Sequence, residues 1–183
     1  MKIKSLTIYC SASNKINIKY FKMAKEVAEL ISNYDIKVIY GGGNVGLMGI
    51  IARTLAGLKR EVIGVIPKFL IKKEKVSLKI NKLKIVPSMG KRKEYLFKLG
   101  DAFLILPGGT GTLEEVIEVL SWKILKLHNK PIIFLNFDNY WSPLIKQFEM
   151  IIENKFGNKN LQNQFQVIKN PKQLNKILKS WTK

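Results

Sequence analysis

Residues 101–127, DAFLILPGGTGTLEEVIEVLSWKILKL, run from an apolar segment through a proline and three glycines into two glutamates and an amphipathic repeat. An apolar run with no polar interruption suits a strand buried on both faces, which is the signature of a parallel sheet. From Thr112 onward the apolar residues recur at helical spacing, so the stretch reads as strand, glycine turn and helix. That succession repeats along the chain. KSLTIYC (4–10), IKVIY (36–40), EVIGVIP (61–67), LKIVP (83–87), DAFLILP (101–107) and PIIFLN (131–136) are expected strands, and FQVIKN (165–170) is a seventh candidate. Helices are expected over 18–31, 47–57, 91–100, 112–127 and 142–155, with a last one opened by Pro171, a residue suited to a first helical position. Residues 68–81 are lysine-rich and weakly patterned and are expected to form a mobile loop. Buried strands alternating with helices predict a Rossmann-like, doubly wound α/β sheet with helices on both faces, in one domain spanning 1–183.

Composition narrows the function. A hydrophobic content of 46% is that of a globular chain, and no apolar stretch reaches the roughly 18–20 residues that span a bilayer. The start, MKIKSLTIYC, alternates into a strand with no long apolar region, so a cytoplasmic protein with no membrane partner is expected. Cys10 is the lone cysteine and His128 the lone histidine, which argues against a disulfide framework and against a metal site. The formal charge of +19 comes from 29 lysines and three arginines, Arg53, Arg60 and Arg92. The lysines are scattered through every segment and accompany abundant isoleucine and asparagine, the bias of an A/T-rich coding sequence. No aromatic interleaving focuses them, so no nucleic-acid partner is expected. Where lysine is the default cation, an arginine is informative, because its planar fork does what an ammonium cannot.

Two glycine-rich turns follow strands. GGGNVG (41–46) satisfies G-x-G-x-x-G between a strand and a helix, yet the acidic residue that a dinucleotide site wants about twenty positions on is missing. It reads either as a backbone open to a ligand, with amides at a helix start, or as close packing of helix on strand. In the second turn, Gly108, Gly109 and Gly111 are expected to allow positive φ and leave amides unshielded. A helix starting at Thr112 would aim free N–H groups and a positive dipole end at the same space, which suits phosphate. Thr112-Leu113-Glu114-Glu115 also reads as a capping box, with Thr112 at the cap and Glu115 three residues on. Arg92 and Lys93, after the fourth strand, are placed to converge on the Gly108 loop from a neighbouring strand end, or else to form a solvated face.

YGGGNVGLMG, the Met89-x-x-Arg92-Lys93 spacing, DAFLILPGGTGTLEE and SWKILKLHNKP together resemble the LOG proteins, cytokinin-activating phosphoribohydrolases. The resemblance covers roughly residues 4 to 150. It implies a homodimer of Rossmann-like subunits that needs no cofactor and no metal. The reaction it implies is hydrolysis of the N-glycosidic bond of nucleoside 5′-monophosphates, giving free base and ribose 5-phosphate. It makes Arg92 and Glu115 the catalytic pair. It assigns substrate binding to Glu74, Lys93, the loop Gly108, Gly109, Thr110, Gly111, Thr112, Leu113 and Glu114, and Ser121. Met89 of the motif, Gly42, Gly43 and Ser13 in the turn after the first strand complete the implied pocket. The chain departs from the family pattern at Gly90, where a histidine is usual, at Ser11, where a glycine is usual, and at Thr110, often a tyrosine. These departures bear on base preference rather than on the reaction. Glycosidic cleavage builds positive charge on the sugar, which a carboxylate at Glu115 would stabilise while orienting water. The Gly109–Thr112 amides with Lys93 would hold the phosphate, and Arg92 would fix phosphate or base and support the leaving group. A non-catalytic nucleotide sensor built on the same loops is the alternative. No lysine motif for pyridoxal phosphate is evident, which speaks against amine decarboxylation.

Overall fold

A computed structural model of the chain describes residues 3–74, 76 and 80–181. Seven strands form one parallel sheet: β1 (Ser5–Tyr9), β2 (Lys37–Tyr40), β3 (Val62–Pro67), β4 (Lys82–Val86), β5 (Ala102–Ile105), β6 (Ile132–Leu135) and β7 (Gln166–Ile168). Their order is β4-β3-β2-β1-β5-β6-β7. Among the described residues six α-helices accompany them: α1 (Ile18–Ser32), α2 (Gly46–Gly57), α3 (Met89–Leu99), α4 (Thr110–Ile124), α5 (Ser142–Glu153) and α6 (Pro171–Trp181).

The apolar strands divide their side chains between two cores, as a period of two requires. Leu6, Ile8, Val38, Tyr40 and Leu104 face α1, α2 and α6, meeting Val27, Leu47, Ile51 and Leu174. Ile39, Phe103, Ile105 and Phe134 face the other way, onto Leu96, Val116, Leu120 and Phe148 of α3, α4 and α5. Chain order reverses between β1 and β5, where Tyr9 pairs with Ile105. That is the switch point at whose carboxyl edge doubly wound sheets bind their ligands.

Three expectations are corrected. β4 is an edge strand separated from β5 by three others, so Arg92 and Lys93 do not lie on a neighbouring strand end. Arg92 reaches the switch point because α3 runs back across β3, β2 and β1. α4 begins at Thr110 with Gly109 as its cap, and Gly109 O accepts from Leu113 N at 3.0 Å. Thr112 and Glu115 therefore stand inside the helix and form no capping box; the Thr112 side chain packs onto Gly108, where any Cβ would collide with it. Nor do Gly108, Gly109 and Gly111 adopt positive φ, which among the described glycines falls at Gly42 and Gly46. In the expected loop 68–81, residues 75 and 77–79 lie outside the described residues. Lys68–Leu70 form a 3-10 turn, and the chain then turns inward to Glu74. Among the described residues no helix is long and apolar enough to cross a membrane.

Candidate active site

A cleft of about 290 Å³ opens at the switch point, between the turn after β1 and the start of α4. Cys10 to Ser13 supply one wall, Gly109 to Thr112 with Glu114 and Glu115 the other, and Gly41, Met48, Glu74, Met89 and Arg92 the far end. Arg92 and Glu115 are buried side chains, which is where charges act most strongly.

Arg92 is 7% exposed. Its Nε donates to Val65 O at 3.2 Å and Nη2 to Gly41 O at 3.0 Å, so the ends of β3 and β2 hold the guanidinium. Nη1 keeps only a 4.0 Å contact with the Met89 thioether. The nearest ion-pair partner is Glu74 Oε2 at 4.0 Å, itself buried and without a hydrogen bond. Gly41 and Gly43 make the room: a side chain at 41 would collide with the guanidinium, and one at 43 would lie 2.6 Å from Glu74 Oε2.

Glu115, 9% exposed, faces the same cleft from the second turn of α4. Burial pushes its carboxyl up to about 7, Arg92 pulls it back, and Glu114 and Glu74 push it further. Burial also raises the Glu74 carboxyl, against the pull of Arg92. A carboxylate poised near neutrality beside a fixed cation is suited to proton transfer and to stabilising positive charge.

The amides of Gly109, Thr110, Gly111 and Thr112 have no acceptor within the described chain, as a helix start leaves them. A Cβ added at Gly109 or Gly111 would meet no atom within 4 Å. Neither glycine is required by φ or by packing, so the space beside them is open to a ligand. The helix end, with its partial positive charge, is a seat for an anion.

The other glycine turn is different. Gly46 N donates to Asn14 Oδ1 at 2.8 Å, and Leu47 N donates to Ser11 O at 2.9 Å. The chain itself thus occupies the start of α2, and Asn44 N likewise donates to Glu74 O at 2.8 Å. The glycines of GGGNVG allow close approach within the protein, with Gly46 at φ 60° against the backbone of Ser11 to Ser13.

The expected site residues Arg92, Glu115, Glu74, Met89, Ser13, Gly109, Thr110, Gly111, Thr112 and Glu114 all line the cleft. Six others do not. Lys93 pairs with Glu114 and, at 3.1 Å, with Glu118, so it links α3 to α4 rather than facing the cleft. Leu113 packs against the core below α4, and Gly108 lies behind the loop, where its carbonyl accepts from Tyr140 Oη. Gly42 packs under Ile66, and Gly43 makes room for Glu74. Ser121 is exposed on the far side of α4, along a separate apolar groove of about 440 Å³ with Ile117, Ile124, Phe148 and Phe156. Gly41, the first glycine of the 41–46 turn read as open to a ligand, does line the cleft, whereas sequence reasoning missed Met48, which sits on α2 and carries no chemical signature of its own. The thiol of Cys10 lines the cleft but is pushed up strongly by burial, which makes it unreactive.

A family model described as "possible lysine decarboxylase" matches residues 48–178. The probable cytokinin riboside 5′-monophosphate phosphoribohydrolase LOG6 of Arabidopsis thaliana is 38% identical over 155 residues, covering 85% of this chain and 77% of its own. The cytokinin riboside 5′-monophosphate phosphoribohydrolase of Rhodococcoides fascians is 40% identical over 147 residues, covering 80% and 74%. Among solved structures, the molybdenum cofactor carrier protein of Chlamydomonas reinhardtii superposes with a TM-score of 0.73 over 97% of this chain and 96% of that one. At 16% identity it shares the fold alone. With matches of this extent and the PGG-x-GT-x-x-E loop set against Arg92 in one cleft, the chain belongs to the LOG family.

Proposed function

We propose that the protein is a hydrolase that cleaves the N-glycosidic bond of nucleoside 5′-monophosphates, releasing the free base and ribose 5-phosphate. The observation that carries this reading is one cleft holding an open helix N-terminus, a buried arginine and a buried carboxylate near neutrality. The phosphate docks on the amides of Gly109 to Thr112, which sets the ribose beside Glu115. As the C1′–N bond breaks, the base keeps the bonding electrons and positive charge develops on the sugar. The Glu115 carboxylate stabilises that charge and takes a proton from the water whose oxygen bonds to C1′. The base leaves with a proton from solvent, its developing negative charge supported by Arg92. Lys93, in place of binding phosphate itself, neutralises Glu114 at the mouth of the cleft, where a bare carboxylate would repel the dianion. One domain carries the site and acts in the cytoplasm.

We further propose that the protein works as a homodimer through the apolar groove beside α4 and α5, where Ile117, Ile124 and Phe156 are exposed apolar residues. Light scattering on the purified chain should give twice the 21.0 kDa chain mass; a monomer overturns this part. The activity is tested by a screen of nucleoside monophosphates, N6-substituted AMP included, for ribose 5-phosphate release. Tight AMP binding with no base release over hours would make the protein a nucleotide-binding module and sink the hydrolytic reading.

A further inference from the structure

The glycine loop that begins α4 is held from behind by a residue outside the cleft. Tyr140 Oη donates to Gly108 O at 2.6 Å. The phenol is delivered by a strained turn, since Asp138 and Asn139 both have positive φ, 55° and 56°. That region is uncommon for any residue with a Cβ and is best tolerated by Asn and Asp. The turn is tied to α1 by the ion pair of Lys19 with Asp138, and Asn136 Oδ1 accepts from Trp141 N at 2.7 Å. Tyr20 and Trp141 meet the Tyr140 ring edge-on, at 6.0 and 5.0 Å between centroids. Beside it a cavity of about 210 Å³ lies between Ser11, Ile16, Tyr20 and Gly108, and the next support is Ser11 N donating to Pro107 O at 3.1 Å.

We propose that Tyr140 is a positioning residue for the anion seat: its hydrogen bond fixes the rotation of the Gly108–Gly109 peptide and so the direction of the Gly109 amide. The inference rests on reading the start of α4 as the phosphate site. A trans peptide is planar, so its N–H points opposite to its C=O. With Gly108 O drawn to the phenol, Gly109 N–H points away from Tyr140. A peptide between two glycines has no Cβ on either side to resist rotation, and once flipped it would present a carbonyl oxygen to an anion. The strain at 138–139 persists because the surrounding contacts hold it, a pattern that accompanies functional placement.

The test is Tyr140→Phe, which removes one oxygen and leaves the ring. Calorimetric titration with ribose 5-phosphate should show binding weakened about three- to tenfold, the range for losing one neutral hydrogen bond. The KM for AMP should rise by the same factor, with kcat within about twofold and adenine binding unchanged. Unchanged ribose 5-phosphate affinity, or an equal loss for adenine, would overturn the assignment, because a merely structural role does not single out the phosphate. If the wild-type protein binds ribose 5-phosphate but releases no base from AMP, the hydrolytic reading fails while the Tyr140 comparison still reads out. Wild-type protein that binds no ribose 5-phosphate would overturn both.

Discussion

α2 follows β2 through GGGNVG and α4 follows β5 through PGGTG, yet the two helix starts are used in opposite ways. At α2 the leading amides are taken by Asn14 Oδ1 and the Ser11 carbonyl. At α4 the amides of Thr110, Gly111 and Thr112 are left open on a cleft that also holds Arg92 and Glu115. A glycine-rich turn before a helix reports that something approaches the backbone closely. It does not report whether that is a ligand or the chain itself. The difference lies in what a Cβ would strike: backbone at Gly46, open space at Gly109 and Gly111.

The largest effect expected of breaking this contrast is on the α4 side. Glu115→Gln should lower kcat for base release about 10²–10³-fold, the usual cost of one preorganised charge. Unchanged turnover would remove Glu115 from the mechanism. The same variant carries a signed effect on stability. With its carboxyl raised from 4.5 to about 7, the folded protein holds a proton in that window which the unfolded chain has released. Wild-type stability therefore falls as pH rises from about 5 to 7. Glutamine lacks this loss, so Glu115→Gln should be the more stable protein at pH 8, by up to about 3 kcal/mol, with the gain fading below pH 5. Melting temperatures of the two proteins at pH 5 and pH 8 check the sign.

Next come two glycine exchanges with opposite signatures. Gly46→Ala puts a Cβ against the Ser11–Ser13 backbone at a positive φ and should cost about 2 kcal/mol or more of stability, read from denaturant midpoints. Gly111→Ala meets nothing in the protein, so the fold should keep its melting temperature. Its methyl group would stand beside the phosphate seat and raise the KM for AMP about tenfold. If the two variants lose stability and affinity in parallel, the contrast between the helix starts is wrong. The smallest effect belongs to Asn14→Ala, which removes the acceptor of Gly46 N and should cost about 1 kcal/mol, as losing a cap does, with KM unchanged.

Much of this was legible in the sequence. Uninterrupted apolar runs such as AFLI and IIFL could only be strands covered on both faces, and the helices between them fixed a doubly wound sheet. The pairing of Arg92 with Glu115 was legible through the family motif, and both lie in the cleft. What stayed hidden depends on long-range geometry. Strand order was invisible, so the route by which α3 brings Arg92 to the switch point was read wrongly. Thr112 and Glu115 fit a capping box by spacing, but the helix starts earlier, with Gly109 as its cap, and the Thr112 side chain packs onto Gly108 instead. Lys93 looked like a phosphate ligand until Glu114 and Glu118, one turn apart on α4, proved to hold it. Ser11 and Asn14 give no sequence sign that they close the start of α2, since that contact spans some thirty-five residues of chain.

The guanidinium of Arg92 fills the volume that a side chain at Gly41 would need. Positions 41 and 92 thus act as a single heritable unit. An alanine at 41 would evict the arginine without altering it, and a larger residue there becomes tolerable only after position 92 has shrunk. Under the proposed mechanism, a lineage that gives up catalysis is free to cross that boundary, whereas one that keeps it must inherit both residues together.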